Sequence, residues 1–168
     1  MGLSLWWQPF ILLPKSTKMT TRERIEGRLL HMELNRPDVY PFFMFCYLTG
    51  IRVEDAFVEN WITFTRNNTI HLQPAKHNNV REIIDAEVYR FADANIRRIN
   101  EITHRLSRHT LKGIAHSYFK DARPTFRINS IASYIFRYLY VKKLLENGLN
   151  AEEVQVAMGH ASLSTTLK

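Results

Sequence analysis

The sequence predicts a mainly α-helical α+β domain, in which helices surround one small three-stranded antiparallel sheet. Most of the chain carries apolar residues three and four apart, the repeat of a helix with one buried face. Between Trp61 and Ile84 that repeat gives way to short β-prone runs separated by turn residues, the pattern of a hairpin and a third strand. With 168 residues and 45% apolar content, the chain suffices for one domain with a proper core.

In chain order, Thr20 or Thr21 followed by Glu23 gives a capping pattern for a first helix with Ile25, Leu29, Leu30 and Met32 as its stripe. Asn35-Arg36-Pro37-Asp38 breaks it, and Pro37 is expected to start a second helix carrying Tyr40 to Leu48, ended by Gly50. Trp61–Thr65 and Thr69–Gln73, joined at Asn67-Asn68, read as a hairpin, and Val80–Ile84 as the third strand. Ala86–Ile102 is predicted as one helix or two, followed by Ser107–Phe119 behind a serine cap. After the loop Asp121-Ala122-Arg123-Pro124 the longest helix is expected over Ile128–Leu145, closed by Asn147-Gly148. Asn150 then caps Ala151–Met158, and Ser162 or Ser164 opens a last turn.

The net charge of +7 and pI near 9.7 favour a polyanionic partner, with nucleic acid ahead of an anionic membrane surface. The single Cys46 lies in the apolar run Phe42–Tyr47, which excludes a disulfide framework or thiolate metal site and reads as a buried apolar side chain. Met1–Leu13 is apolar but too short to span a bilayer, and it lacks the basic start of a signal peptide. Residues 1–19 are expected to be a linker or the remnant of a preceding segment, and 20–168 the functional domain. The histidines show no metal-ligand spacing, so no metal is expected.

Four segments carry residues suited to one phosphodiester. They are Gly50-Ile51-Arg52-Val53-Glu54-Asp55, Lys76 to Arg81, Tyr134-Ile135-Phe136-Arg137, and Gly159-His160. Arginine offers a permanently charged planar fork that binds phosphate bidentately, whereas lysine is a tunable point charge able to give up a proton. Bland alternatives stay open: Arg52 as a surface arginine, Lys76 as a loop cation, Tyr134 as a packing aromatic, His160 as a helix cap. Arg137 sits among Tyr134, Phe136, Tyr138 and Tyr140 on a mostly buried helix, where a guanidinium needs an anion. Arg97, Arg98, Arg105, Arg108, His109 and Lys112 lie on neighbouring turns and form either a solvated face or a phosphate-tracking patch.

These pieces resemble the catalytic domain of the tyrosine recombinase (phage integrase) family. Tyr47-Leu48-Thr49-Gly50-Ile51-Arg52, with Asp55 three residues on, is similar to the family's first arginine box. Lys76 and Arg81 resemble its β-hairpin lysine segment. Leu144–Gly148 fits the spacing after its second arginine, here Arg137, and Val154–Thr166, containing Gly159-His160, resembles its next box. The match covers about residues 20 to 168. Two departures stand out. Tyr134 occupies the family's histidine position, and the nucleophilic tyrosine is expected at position 169, one past Lys168.

The resemblance implies the DNA breaking-rejoining enzyme fold and site-specific recombination on double-stranded DNA, as in an integrase of a mobile element. It further implies Arg52, Lys76, Arg137, His160 and Tyr134 as catalytic-site residues, Asp55 as their support, and no cofactor. Arg81, Arg105, Arg108 and Lys112 are the expected DNA-binding residues. Family members assemble as tetramers on DNA, while this chain alone is expected to be a monomer, cytoplasmic and nucleoid-associated. Without the tyrosine, whether the chain is an enzyme stays open. A non-catalytic DNA-binding remnant or regulator and a type IB topoisomerase-like nicking-closing enzyme are the alternatives.

Overall fold

A computed structural model describes residues 18–75, 79–122 and 131–159, with side chains in the last span from 134 onward. Helix α1 (Thr21–Asn35) starts at a reciprocal cap. Thr20 Oγ1 accepts the Glu23 N–H at 3.2 Å, and a Glu23 carboxylate oxygen accepts the Thr20 N–H at 2.6 Å. Its buried stripe is Ile25, Leu29 and Met32. Helix α2 (Tyr40–Thr49) begins three residues after Pro37, the start that the sequence suggested. Pro41 stands in its first turn, while Pro37 lies in the preceding turn that Arg36 closes by accepting the Val39 and Tyr40 N–H groups at 3.1 Å. Both prolines satisfy the rule that a helix tolerates proline only where no intrahelical N–H is needed.

Because α2 is apolar on every side, it is the buried axis of the domain. Phe42, Phe43, Phe45 and Cys46 are fully inaccessible, and Cys46 is thus the packing residue expected of it. Burial drives its thiol well above the ordinary range, which removes it as a nucleophile. A short 3-10 turn, Val53–Phe57, follows.

Strands β1 (Ile62–Phe64), β2 (Ile70–Leu72) and β3 (Arg81–Ile83) form an antiparallel sheet in sequence order. Ile62 faces Leu72 across the first pair, and Leu72 faces Arg81 across the second. Asn68 turns the hairpin at φ 55°, a conformation asparagine tolerates better than most residues.

Helix α3 is continuous over Ala86–Arg105, capped by Asp85, whose carboxylate accepts the Glu87 and Val88 N–H groups at 2.9 and 3.1 Å. Ser107 caps α4 (Arg108–Phe119), and a 3-10 turn, Lys120–Ala122, follows. Helix α5 is described over Ile131–Glu146, and α6 (Ala151–Ala157) carries a reciprocal Asn150/Glu153 cap. The expectations for residues 1–17, 123–130 and 160–168 lie outside the described residues. Packed against α2 from α4 and α5 are Phe119 and Phe136, whose rings meet edge-on at 5.2 Å; Phe119 meets Phe43 of α2 at 6.0 Å. Truncating any of these rings to alanine costs roughly 3–5 kcal/mol. Among the described residues no helix is long and apolar enough to cross a membrane.

Candidate functional site

Gly50 fixes where Arg52 stands. It ends α2 in the left-handed region at φ 64°, and a Cβ on it would lie 2.6 Å from Tyr140 Cβ on α5. Only glycine lets the chain turn this close to α5. Arg52 follows in extended conformation, and its N–H is held by Asp55 Oδ2 at 3.0 Å. The other oxygen, Asp55 Oδ1, accepts the N–H of Ala75 at 3.0 Å. One buried carboxylate therefore ties the Arg52 segment to the loop after β2. Both of its oxygens are already engaged by backbone donors.

Arg137 projects from α5 one turn before Tyr140 and is 6% exposed. Its Nη2 donates to the Met158 carbonyl at 3.0 Å, at the end of α6. Loss of water pulls its pKa down to about 9, and the charges of Arg52 and Arg81 push the same way. Asp55 and Tyr134 oppose the shift without cancelling it. Among the described residues neither Arg52 nor Arg137 has an ion-pair partner. Three guanidiniums thus act on one another around a single carboxylate, an arrangement with excess positive charge that an added anion relieves.

Arg81, expected as a DNA contact, is instead buried at 3% exposure. Its Nε donates to the Ala157 carbonyl at 3.0 Å and its Nη2 to the Thr49 carbonyl at 2.5 Å, with its guanidinium 5.3 Å over the Tyr140 ring. Strand alternation explains the inversion. Arg81 and Ile83 point inward, so the apolar Val80 and Ile84 stand outside at 49% and 72% exposure. With Asp55 and Arg137, Arg81 lines a cavity of about 10 Å³.

Lys76 and His160 lie outside the described residues, but their neighbours do not. Ala75 is the residue held by Asp55, and the Asn79 N–H donates to the Gly159 carbonyl at 3.1 Å. Tyr134 is 43% exposed on α5, one turn before Arg137, and its position agrees with an accessible group better than with a packing aromatic. Arg105 and Arg108 are exposed, while Lys112 is paired with Glu54 at 2.6 Å. No group of residues able to hold a metal occurs among those described. Sequence reading missed Arg81's inward role and the acceptors at Thr49, Ala157 and Met158. Main-chain carbonyls carry no residue signature, and only the Gly50 and Gly159 turns hinted at close approaches.

No protein-family model and no curated protein sequence matches the chain. Solved structures do. A XerA recombinase superposes with TM-score 0.62 at 17% identity, covering 96% of this chain and 65% of that one. The chain has the fold of a tyrosine recombinase catalytic domain. The Tn1549 transposon integrase in complex with a circular intermediate DNA gives TM-score 0.63 at 15% identity over 95% of this chain and 63% of that one. The same integrase with transposon right end DNA gives 0.56 at 16% identity, over 94% and 62%. The chain spans less than two thirds of the length of each of these recombinase structures. At such identities the shared property is the fold alone.

Proposed function

We propose that this chain acts in site-specific DNA recombination as the phosphate-binding portion of a tyrosine recombinase catalytic domain. The observation that carries the reading is that the Arg52 segment, held by Asp55, and Arg137, which lines a cavity with Asp55, meet at one place. The two arginines lie 85 residues apart in sequence, yet the charge of Arg52 depresses the pKa of Arg137, and neither is neutralised by a described carboxylate. A scissile phosphate supplies the missing negative charge and accepts both forks.

In this reading Arg52 and Arg137 bind the nonbridging oxygens and stabilise the charge that grows on them during attack. His160 adds a hydrogen bond, and Tyr134, exposed on α5, is the proposed second donor. Lys76, on the loop anchored through Ala75 to Asp55, delivers a proton to the departing 5′ oxygen. The attacking tyrosine, expected immediately after Lys168, forms a bond from its oxygen to phosphorus as the phosphorus–5′ oxygen bond breaks. The bond energy stays in the 3′-phosphotyrosine, so no nucleotide or metal enters the balance. Arg105 and Arg108 track flanking phosphates, and Lys112 joins them only once it leaves Glu54. In this reading further protomers assemble with it on DNA.

The experiment is binding of a short labelled duplex across a salt series, comparing the wild type with Arg52→Ala plus Arg137→Ala. Loss of both arginines is expected to weaken binding and to flatten the log–log salt slope by roughly 0.9, the value for the one phosphate they share. Equal affinity and slope for the folded double variant would remove the phosphate reading. Extending the chain through the tyrosine and trapping a covalent product on nicked DNA then separates an enzyme from a DNA-binding remnant.

A further inference from the structure

Arg81 touches every segment that carries a functional residue. Its Nη2 holds the Thr49 carbonyl, three residues before Arg52. Its Nε holds the Ala157 carbonyl, and its Nη2 lies 4.0 Å from the Met158 sulfur, both just ahead of Gly159 and His160. Its guanidinium stacks over Tyr140, one turn beyond Arg137 on α5. Arg81 itself opens β3, on the far side of the loop that carries Lys76. We infer that Arg81 is the positioning residue of the site, a buried fork that sets the four functional segments in mutual register and touches no substrate. The inference rests on the phosphate-binding reading of Arg52 and Arg137.

Three features favour this over an ordinary core contact. A buried guanidinium with no ion pair among the described residues is unfavourable, and burial lowers Arg81's pKa although Asp55 opposes the shift. Its two backbone acceptors come from the ends of two different helices, where carbonyls lack intrahelical donors. Arginine alone presents donors in the planar geometry that reaches both while stacking on a ring. Space is also closed around it. A Cβ on Gly159, which sits at φ 64°, would lie 2.8 Å from Arg81 Cγ and 2.5 Å from the Asn79 carbonyl. Gly159 is therefore where the α6 segment closes onto the Arg81 stem, with the Asn79 N–H on its carbonyl.

Hydrogen exchange and DNA binding on the same folded variants test the inference. In Arg81→Gln the amides of Gly50, Arg52, Asn79 and Gly159 should exchange roughly tenfold faster together, as a local opening, while amides of α3 keep wild-type rates. Arg81→Lys, which keeps the charge and loses the fork, should do the same. Gly159→Ala, which presses on Arg81 from the opposite side, should reproduce the pattern and carries the test if Arg81→Gln does not fold. DNA affinity should fall to that of Arg137→Ala, with the Arg81→Gln/Arg137→Ala double variant no weaker than Arg137→Ala alone. Faster exchange in one segment only, or equally throughout, would overturn the inference. So would unchanged DNA affinity in Arg81→Gln beside a weakened Arg137→Ala. Should Arg137→Ala itself bind DNA normally, the phosphate reading fails, and the role of Arg81 in it fails too.

Discussion

Asp55 takes the backbone N–H of Ala75 across twenty residues at 3.0 Å, while its second oxygen holds the N–H of Arg52. A carboxylate this enclosed, spent on two amides, is a splice between two chain segments rather than a counter-ion for either arginine. Hydrogen bonds to a charged acceptor contribute about 1.5–3 kcal/mol each, not additively. Asp55→Ala is therefore expected to destabilise by roughly 2–4 kcal/mol in urea denaturation and to weaken duplex binding beyond the stability loss. Asp55→Asn keeps one acceptor and should lie between. A change below about 0.5 kcal/mol in Asp55→Ala would contradict the splice.

Gly50 provides an independent test of how the site is closed. Alanine there meets both the cost of a positive φ, about 1 kcal/mol, and the Tyr140 stem at 2.6 Å. Since Tyr140 is packed and holds Arg81, the ring has little room to retreat. Gly50→Ala should cost roughly 2–4 kcal/mol, and the double variant Gly50→Ala/Tyr140→Ala less than the sum. Additive losses, measured by denaturant midpoints, would show that the two residues do not press on each other.

Much of the fold was legible because local chemistry decided it. Thr20 with Glu23, the Ser107 cap and the Asn150 cap placed three helix starts, and Asn67-Asn68 placed the hairpin tip. The two arginines were legible through the glycine before one and the aromatics around the other. The second helix start was misplaced because Pro37 and Pro41 both satisfy the same rule, and only packing chooses between them. Arg81 misled for a different reason. Val80-Arg81-Glu82-Ile83-Ile84 lacks a clean apolar–polar alternation, so the sequence does not say which face is buried, and the sheet turned the charged residue inward. That choice depends on two carbonyls from distant helix ends, which no local pattern announces.

Arg137 predicts a conflict between stability and binding. Its guanidinium is desolvated and repelled by Arg52 and Arg81, with pKa lowered from its ordinary 12.5 to about 9. In the folded state the proton is held less tightly than in the unfolded chain. The penalty is therefore fully present at neutral pH and is relieved only as pH rises above about 9. Arg137→Met fills similar space and removes the repulsion, at the expense of leaving the Met158 carbonyl without its donor. Stability at neutral pH should stay within about 1 kcal/mol of the wild type or rise, while DNA binding weakens. A loss above about 3 kcal/mol would mean that the guanidinium holds the fold together.

Glu26 should make stability fall with rising pH in the acid range. Burial raises its carboxyl pKa, while the hydrogen bond from Tyr47 at 2.5 Å and the charge of Arg22 hold it back. A carboxyl whose folded pKa exceeds its unfolded value of 4.5 contributes stability that is fully present below the unfolded pKa. That contribution is lost as pH rises through the folded one. Glu26→Gln keeps an acceptor for Tyr47 and removes the titration. Melting temperatures of wild type and variant should therefore converge in acid and separate in favour of the variant toward neutrality. A wild type that gains on the variant over that range would reverse the sign.

Glu54 restrains the basic face beside Arg52. It holds Lys112 at 2.6 Å, and the two side chains are 24% and 36% exposed, so the pair is partly screened from water. Lys112 lies one turn after Arg108 on α4, so the two project from the same side of that helix. If that side tracks phosphates, Lys112 must leave Glu54 to do so. Glu54→Gln frees the ammonium beforehand and removes a negative charge from the path. Duplex binding should tighten at low salt, and the log–log salt slope should steepen by up to roughly 0.9, one further phosphate contact. Lys112→Ala should leave affinity nearly unchanged in the wild-type background but abolish the gain in Glu54→Gln. An equal loss from Lys112→Ala in both backgrounds would mean that Glu54 never competes with DNA for the lysine.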